Sequence, residues 1–91
     1  MSTVSRNIEP IDESEVEHKI NFEVGEGAHY TGQMKQAYDH GSNNVTWIKH
    51  GKGQQVWPDG AKYDGEWRNG MAEGVGVFNH ANGDVYQGEF I

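Results

Sequence analysis

Gly60-Ala61-Lys62-Tyr63-Asp64-Gly65-Glu66-Trp67 recurs 23 residues later as Gly83-Asp84-Val85-Tyr86-Gln87-Gly88-Glu89-Phe90. A third copy stands upstream as Gly27-Ala28-His29-Tyr30-Thr31-Gly32-Gln33-Met34. Each tyrosine has a glycine three residues before it and another two residues after it. Tyr63 and Tyr86 also have glycines twelve and ten residues before them, Gly51/Gly53 and Gly74/Gly76. Ten of the thirteen glycines fall at these repeat positions. Four residues after each tyrosine stands Met34, Trp67 or Phe90, and eight before it Phe22, Gln55 or Phe78.

The period inside each copy is two, the alternation of an extended strand. Tyr63, Gly65 and Trp67 share one face and Lys62, Asp64 and Glu66 the other. Tyr86, Gly88 and Phe90 oppose Val85, Gln87 and Glu89 in the same way. Asp59-Gly60, Asn69-Gly70 and Asn82-Gly83 lie between the runs, where tight hairpin turns need positive φ. The pattern predicts an all-β fold: an elongated, single-layer antiparallel meander of hairpins over residues 20–91. Glycines alternating with aromatics on one face predict rings lying over bare glycine backbone on neighbouring strands. One hairpin is not stable alone in water, so the copies must stack to bury an aromatic seam.

Outside the repeat, residues 1–19 are rich in Glu and Asp and poor in apolar residues, with Pro10 against a helix. They read as a flexible acidic arm, disordered or ordered on a partner with Ile8 and Ile11 as anchors. Tyr30 and Tyr63 are 33 residues apart, the repeat period plus ten, which places an insertion at 35–50. It reads as a loop on a repeat scaffold, where function often resides. Tyr38 and Trp47 are its candidate partner-binding residues; the alternative for Trp47 is a plug for the end of the core. Ala37 occupies the position of Gly70, and Met34 that of an aromatic, as expected of an atypical terminal repeat.

These residues resemble MORN repeats, the membrane-occupation-and-recognition-nexus family. Tyr63, Gly65, Trp67, Gly70, Gly74, Gly76 and Gly83 match one full unit. Tyr86, Gly88 and Phe90 open the next, and Gly51, Gly53 and Gly60 close the one before. The resemblance covers about residues 20–91. It implies a hairpin array serving as a protein-interaction scaffold, in cytoskeletal, ciliary or flagellar assemblies.

Composition narrows the partners. Fourteen acidic against seven basic residues give a net charge of −7. That disfavours nucleic acid and anionic membrane, both of which are bound through positive patches. Lys49, Lys52, Lys62 and Arg68 form no basic run of the kind a phosphoinositide site needs. Phospholipid binding is thus the second reading, behind protein binding. No cysteine, nucleotide-binding glycine motif or HExxH is present. Asp39, His40 and His50 lack diagnostic ligand spacing. The expectation is a non-catalytic chain without cofactor or metal, cytoplasmic, with Tyr63, Trp67, Tyr86 and Phe90 as the partner surface. A last strand at Tyr86–Ile91 presents an open edge. That edge would be covered by further chain of a longer protein, by homodimerisation, or by a partner's strand or helix.

Overall fold

The computed structural model describes residues 8–11 and 15–91. Among these residues seven strands form one curled antiparallel sheet: β1 (Ile8–Pro10), β2 (Glu17–Gly25), β3 (Ala28–Asp39), β4 (Asn44–Val56), β5 (Lys62–Arg68), β6 (Met71–Asn79) and β7 (Val85–Phe90). From β2 to β7 each strand pairs with the next in sequence, the meander expected of the repeat. The sheet is elongated, 40 Å by 24 Å by 24 Å. Among the described residues no helix is long and apolar enough to cross a membrane.

Register explains the columns. Gly32, Gly53, Gly65, Gly76 and Gly88 pair in turn and form one glycine row across five strands. Beside it runs a second row, Phe22, Tyr30, Gln55, Tyr63, Phe78 and Tyr86, across six. The residue eight before each tyrosine is therefore its partner across the rung. A Cβ on Gly53 would collide with the Tyr30 phenol, and one on Gly76 with the Tyr63 phenol. Ring over glycine is thus a steric requirement at both rungs.

A one-layer sheet has no second layer to pack against, so burial comes from its curl. Tyr30, Met34, Tyr63 and Trp67 form the buried cluster on the inner face, flanked by Phe22, Trp57, Phe78 and Phe90. The rings interlock edge to face. Trp67 sits between Tyr30 (5.5 Å, 88°) and Tyr63 (4.9 Å, 87°), and Phe90 between Tyr63 (4.9 Å, 86°) and Tyr86 (5.1 Å, 86°). This geometry suits aromatic quadrupoles and adds about 0.5–1.5 kcal/mol per pair beyond area burial.

Asn69-Gly70 forms a two-residue hairpin turn with both φ values positive, 50° and 88°. Asp59-Gly60 and Asn82-Gly83 end longer turns, in which Gly60 N–H donates to Trp57 O and Gly83 N–H to His80 O, both at 3.0 Å.

One expectation is corrected. The segment 35–50 is no loop. Lys35–Asp39 pairs with Asn44–Ile48, rung by rung, so the insertion lengthens the β3–β4 hairpin. By register Lys35 corresponds to Arg68 and Ile48 to Met71, since each pair is the same rung below the glycine row. The ten extra residues are four more on each strand and a turn of four residues in place of two. Four is even, so the alternation of faces survives the insertion. Ala37 consequently lies inside β3, buried and opposite Thr46, and does not replace a turn glycine.

Within the arm expected over residues 1–19, Ile8–Pro10 forms β1 and Glu17 opens β2. β1 pairs with the lengthened part of β3 (Ile8↔Asp39, Glu9↔Tyr38, Pro10↔Ala37), and Ile11 N–H donates to Gln36 O at 3.1 Å. Its outer edge is a position that tolerates Pro10. β2 begins at Glu17, so the sheet reaches three residues upstream of its expected start. β1 and β2 thus lie along the same edge of β3, one on the extension and one on the repeat. The rest of the arm, residues 1–7 and 12–14, lies outside the described residues.

Candidate partner-binding groove

The inner face carries a groove of about 400 Å³ lined by Lys49, Gln55, Trp57, Tyr63, Trp67, Met71, Ala72, Phe78 and Phe90. Strands β4, β5, β6 and β7 and the turn after β4 each contribute, so only the paired sheet creates it. Tyr63 and Trp67 are 1% and 7% exposed. They are the floor, fixed by hydrogen bonds from Tyr63 Oη to Glu66 O (3.0 Å) and from Trp67 Nε1 to Gly53 O (3.0 Å). Trp57, Phe78 and Phe90 are half-buried and form the walls.

Lys49 is the one charged group in that lining. Its Nζ donates to Gln55 Oε1 at 2.7 Å and lies 4.4 Å from the centroid of the Trp67 ring. No carboxylate pairs with it among the described residues. Burial pushes its amine down to about 8. Gln55 thereby has a reason to interrupt the aromatic row: it is buried, 6% exposed, and supplies the acceptor that the ammonium needs.

The six residues expected to bind a partner separate. Tyr63, Trp67 and Phe90 meet in the groove. Tyr86 flanks it, half exposed and edge to face with Phe90. Trp47 lines an adjoining recess of about 260 Å³ with Phe22, Met34 and Lys49, under the Lys19 ammonium at 4.1 Å, where it extends the core. Tyr38 stands near the tip of the long hairpin, edge to face with His40 (4.6 Å) and donating to Asn43 Oδ1 at 3.2 Å. It is not part of the groove. Lys49, Gln55 and Trp57 escaped the sequence reading. Repeat register was the available signal for Lys49, which occupies the rung of Ala72.

Glu66 is also more than a solvent-facing carboxylate. At the bulge of each hairpin one backbone N–H leaves the ladder. Gln33 Oε1 accepts the Lys52 N–H and Glu66 Oε1 the Val75 N–H, both at 2.8 Å. Gly51 and Gly74, at φ 101° and 84°, make the bend. A larger, polar depression of about 870 Å³ lies here, lined by Gln33, His50, Lys52, Glu66, Arg68 and Glu73 among others. His50 Nδ1 accepts the Asn69 N–H at 3.3 Å. Burial, then Lys35 and Arg68, push its imidazole below the usual range.

Fold and groove define a hairpin-repeat array that presents a curled aromatic face. The MORN repeat family model matches residues 48–62 and 63–85, and these residues are MORN repeats. The first match begins at Ile48, the residue at which β4 returns to register with β6 after the insertion. No curated protein matches the chain. MORN repeats serve in protein- and lipid-binding scaffolds.

Proposed function

We propose that this chain is a non-catalytic protein-interaction module that holds an extended or helical segment of a partner protein in the inner groove. The setting we propose is a cytoplasmic, cytoskeletal scaffold such as a ciliary or flagellar one, which the family resemblance implies. One observation carries the binding mode: half-buried Trp57, Phe78 and Phe90 wall a groove in whose lining Lys49 is the one charged side chain, bonded to Gln55 and, among the described residues, to no carboxylate. Aromatic walls around a desolvated polar group are the composition of an interface hot spot. Apolar side chains of the partner would fill the walls, and a carboxylate or carbonyl oxygen would take the remaining Lys49 donors.

Peptide display against the folded 91-residue chain tests this. Selected peptides should carry apolar anchors at strand or helix spacing. Their binding should fall at least tenfold with Trp57→Ala or Phe90→Ala and stay unchanged with Val75→Lys on the outer face. Circular dichroism would show that the variants remain folded. Binding indifferent to the inner-face variants would overturn the reading. So would selective, salt-sensitive binding to phosphoinositide vesicles without peptide binding, which would favour the phospholipid alternative.

A further inference from the structure

The three repeat tyrosines share one posture. Tyr30 Oη donates to Gln33 O (2.7 Å), Tyr63 Oη to Glu66 O (3.0 Å) and Tyr86 Oη to Glu89 O (3.1 Å). The first two rings lie against glycines of the following strand, Gly53 and Gly76, each paired with the tyrosine's own-strand glycine, Gly32 or Gly65. Tyr86 holds the posture with its own-strand glycine, Gly88, whose added Cβ would stand 3.1 Å from the phenol oxygen. Gly88 already pairs with Gly76 on one side. On its other side β7 pairs with no strand among the described residues.

The carboxylates repeat the pattern. Gln33 and Glu66 each cap the bulge N–H of the next strand. Glu89 is the third member of that column, and no backbone N–H among the described residues reaches it. Strand β7 therefore presents, on that side, the half-interface that β5 presents to β6: the tilted phenol, the rung glycine, the capping carboxylate and an aromatic one residue further, Phe90 for Trp67.

The complementary half is visible twice in the same molecule. It reads Gly-x-Gly-x-Phe in β6 (Gly74–Phe78) and Gly-x-Gly-x-Gln in β4 (Gly51–Gln55). The second glycine admits the phenol, the first makes the left-handed bend, and the residue between them offers its N–H to the carboxylate. We propose that the β7 edge is a docking site for a partner strand of this chemistry. The strand would run antiparallel, carrying Gly-x-Gly-x-aromatic or Gly-x-Gly-x-Gln with its second glycine opposite Gly88. Tyr86 selects the glycine and Glu89 caps the bulge. This is β-strand addition with side-chain selectivity. A symmetric pairing of two β7 strands through Gly88 fits poorly, because it brings both Tyr86 phenols over one glycine pair. The site shares Phe90 with the inner groove but is read through Tyr86, Gly88 and Glu89 at the strand edge, so its failure would leave the groove reading untouched.

The probe is a fluorescent peptide of the β6 sequence, residues 71–80, titrated by anisotropy to millimolar concentration into the intact chain. It should bind and should protect the Val85–Phe90 amides from exchange. A Gly76→Ala version of the peptide should bind about tenfold more weakly, since its methyl meets the phenol. In the Tyr86→Ala protein the two peptides should bind within about threefold of each other. Trp57→Ala should leave both affinities unchanged. Tyr86 is half exposed, so its variant should fold, which circular dichroism checks. The proposal is overturned if the peptide does not bind, if glycine and alanine peptides bind the native chain equally, if discrimination persists without Tyr86, or if the chain dimerises through β7.

Discussion

Hairpins β3–β4 and β5–β6 are the same object up to one rung and then diverge. Both have a tyrosine over a glycine, a glycine rung, a two-residue register shift and a side-chain cap on the bulge amide. Below that rung β5–β6 closes at once through Asn69-Gly70, while β3–β4 continues for four more residues on each strand. The shared part makes the repeat. The added part makes this molecule: it provides the edge on which β1 lies, places Trp47 at the end of the core, and accompanies the replacement of Ala72 by Lys49 at the equivalent rung. A repeat scaffold thus acquires individuality by lengthening a hairpin in register, at little cost to the pairing above it.

The most damaging way to break the shared part is to fill a rung glycine. Gly53→Ala and Gly76→Ala should each cost about 3 kcal/mol or more, because backbone and ring are both fixed and overpacking has no outlet. Gly88→Ala, against the edge that no described strand covers, should cost less than about 1 kcal/mol. Urea midpoints at constant slope would show it; equal losses at all three would mean that the rings do not select glycine.

Next in size, replacing residues 36–47 by Asn-Gly converts β3–β4 into a copy of β5–β6. Strands β2–β7 should still fold, less stable by about 2 kcal/mol through the lost burial of Trp47. Exchange protection at Ile8–Ile11 should vanish, because the edge that β1 occupies has gone.

Lys49 distinguishes the two hairpins by pH. The native amine titrates near 8 and the unfolded one near 10.5. Between these values the native chain has lost a proton that the unfolded chain still binds, so stability rises with pH. Lys49 is partly exposed, so the rise should be on the order of 1 kcal/mol. Above about 10 the trend reverses. Burial raises the Tyr30 phenol from its ordinary 10.0, so the unfolded chain releases a proton that the native chain keeps. Thermal unfolding from pH 7 to 11 should therefore peak between 9 and 10.5, and Lys49→Met should flatten the rise.

The smallest effect belongs to the cap. Glu66→Gln should be nearly neutral, since Gln33 already does this in the first hairpin, and Glu66→Ala should cost about 1 kcal/mol by orphaning the Val75 N–H. Glu89→Ala should change stability by less than about 0.5 kcal/mol.

The repeat itself was readable from residue order. Alternation at Tyr63–Trp67, turn pairs such as Asn69-Gly70 and the fixed spacing of glycines define strands, faces and stacking, because each reports a local steric need. The extension was not readable in that way. Polar, turn-prone residues such as Asp39, His40, Asn43 and Asn44 resemble a loop until it is known that Lys35–Asp39 has Asn44–Ile48 as partner, which is a non-local fact. The same holds for Ile8–Pro10, whose three residues carry no strand signal apart from the edge that β3 offers. The groove was half legible. Its aromatics came from the columns, but Lys49 and Gln55 gain meaning only as a bonded pair, and Trp57 enters from a turn.

The most direct test of the account is amide hydrogen exchange, residue by residue, across 35–50 in the intact chain. In-register extension predicts slow exchange for ladder amides in Gln36–Asp39 and Val45–Ile48, comparable to those of β5 and β6, with fast exchange confined to the turn at 40–43. Fast exchange throughout 35–50, beside protected β5 and β6, would restore the loop and remove the support for β1.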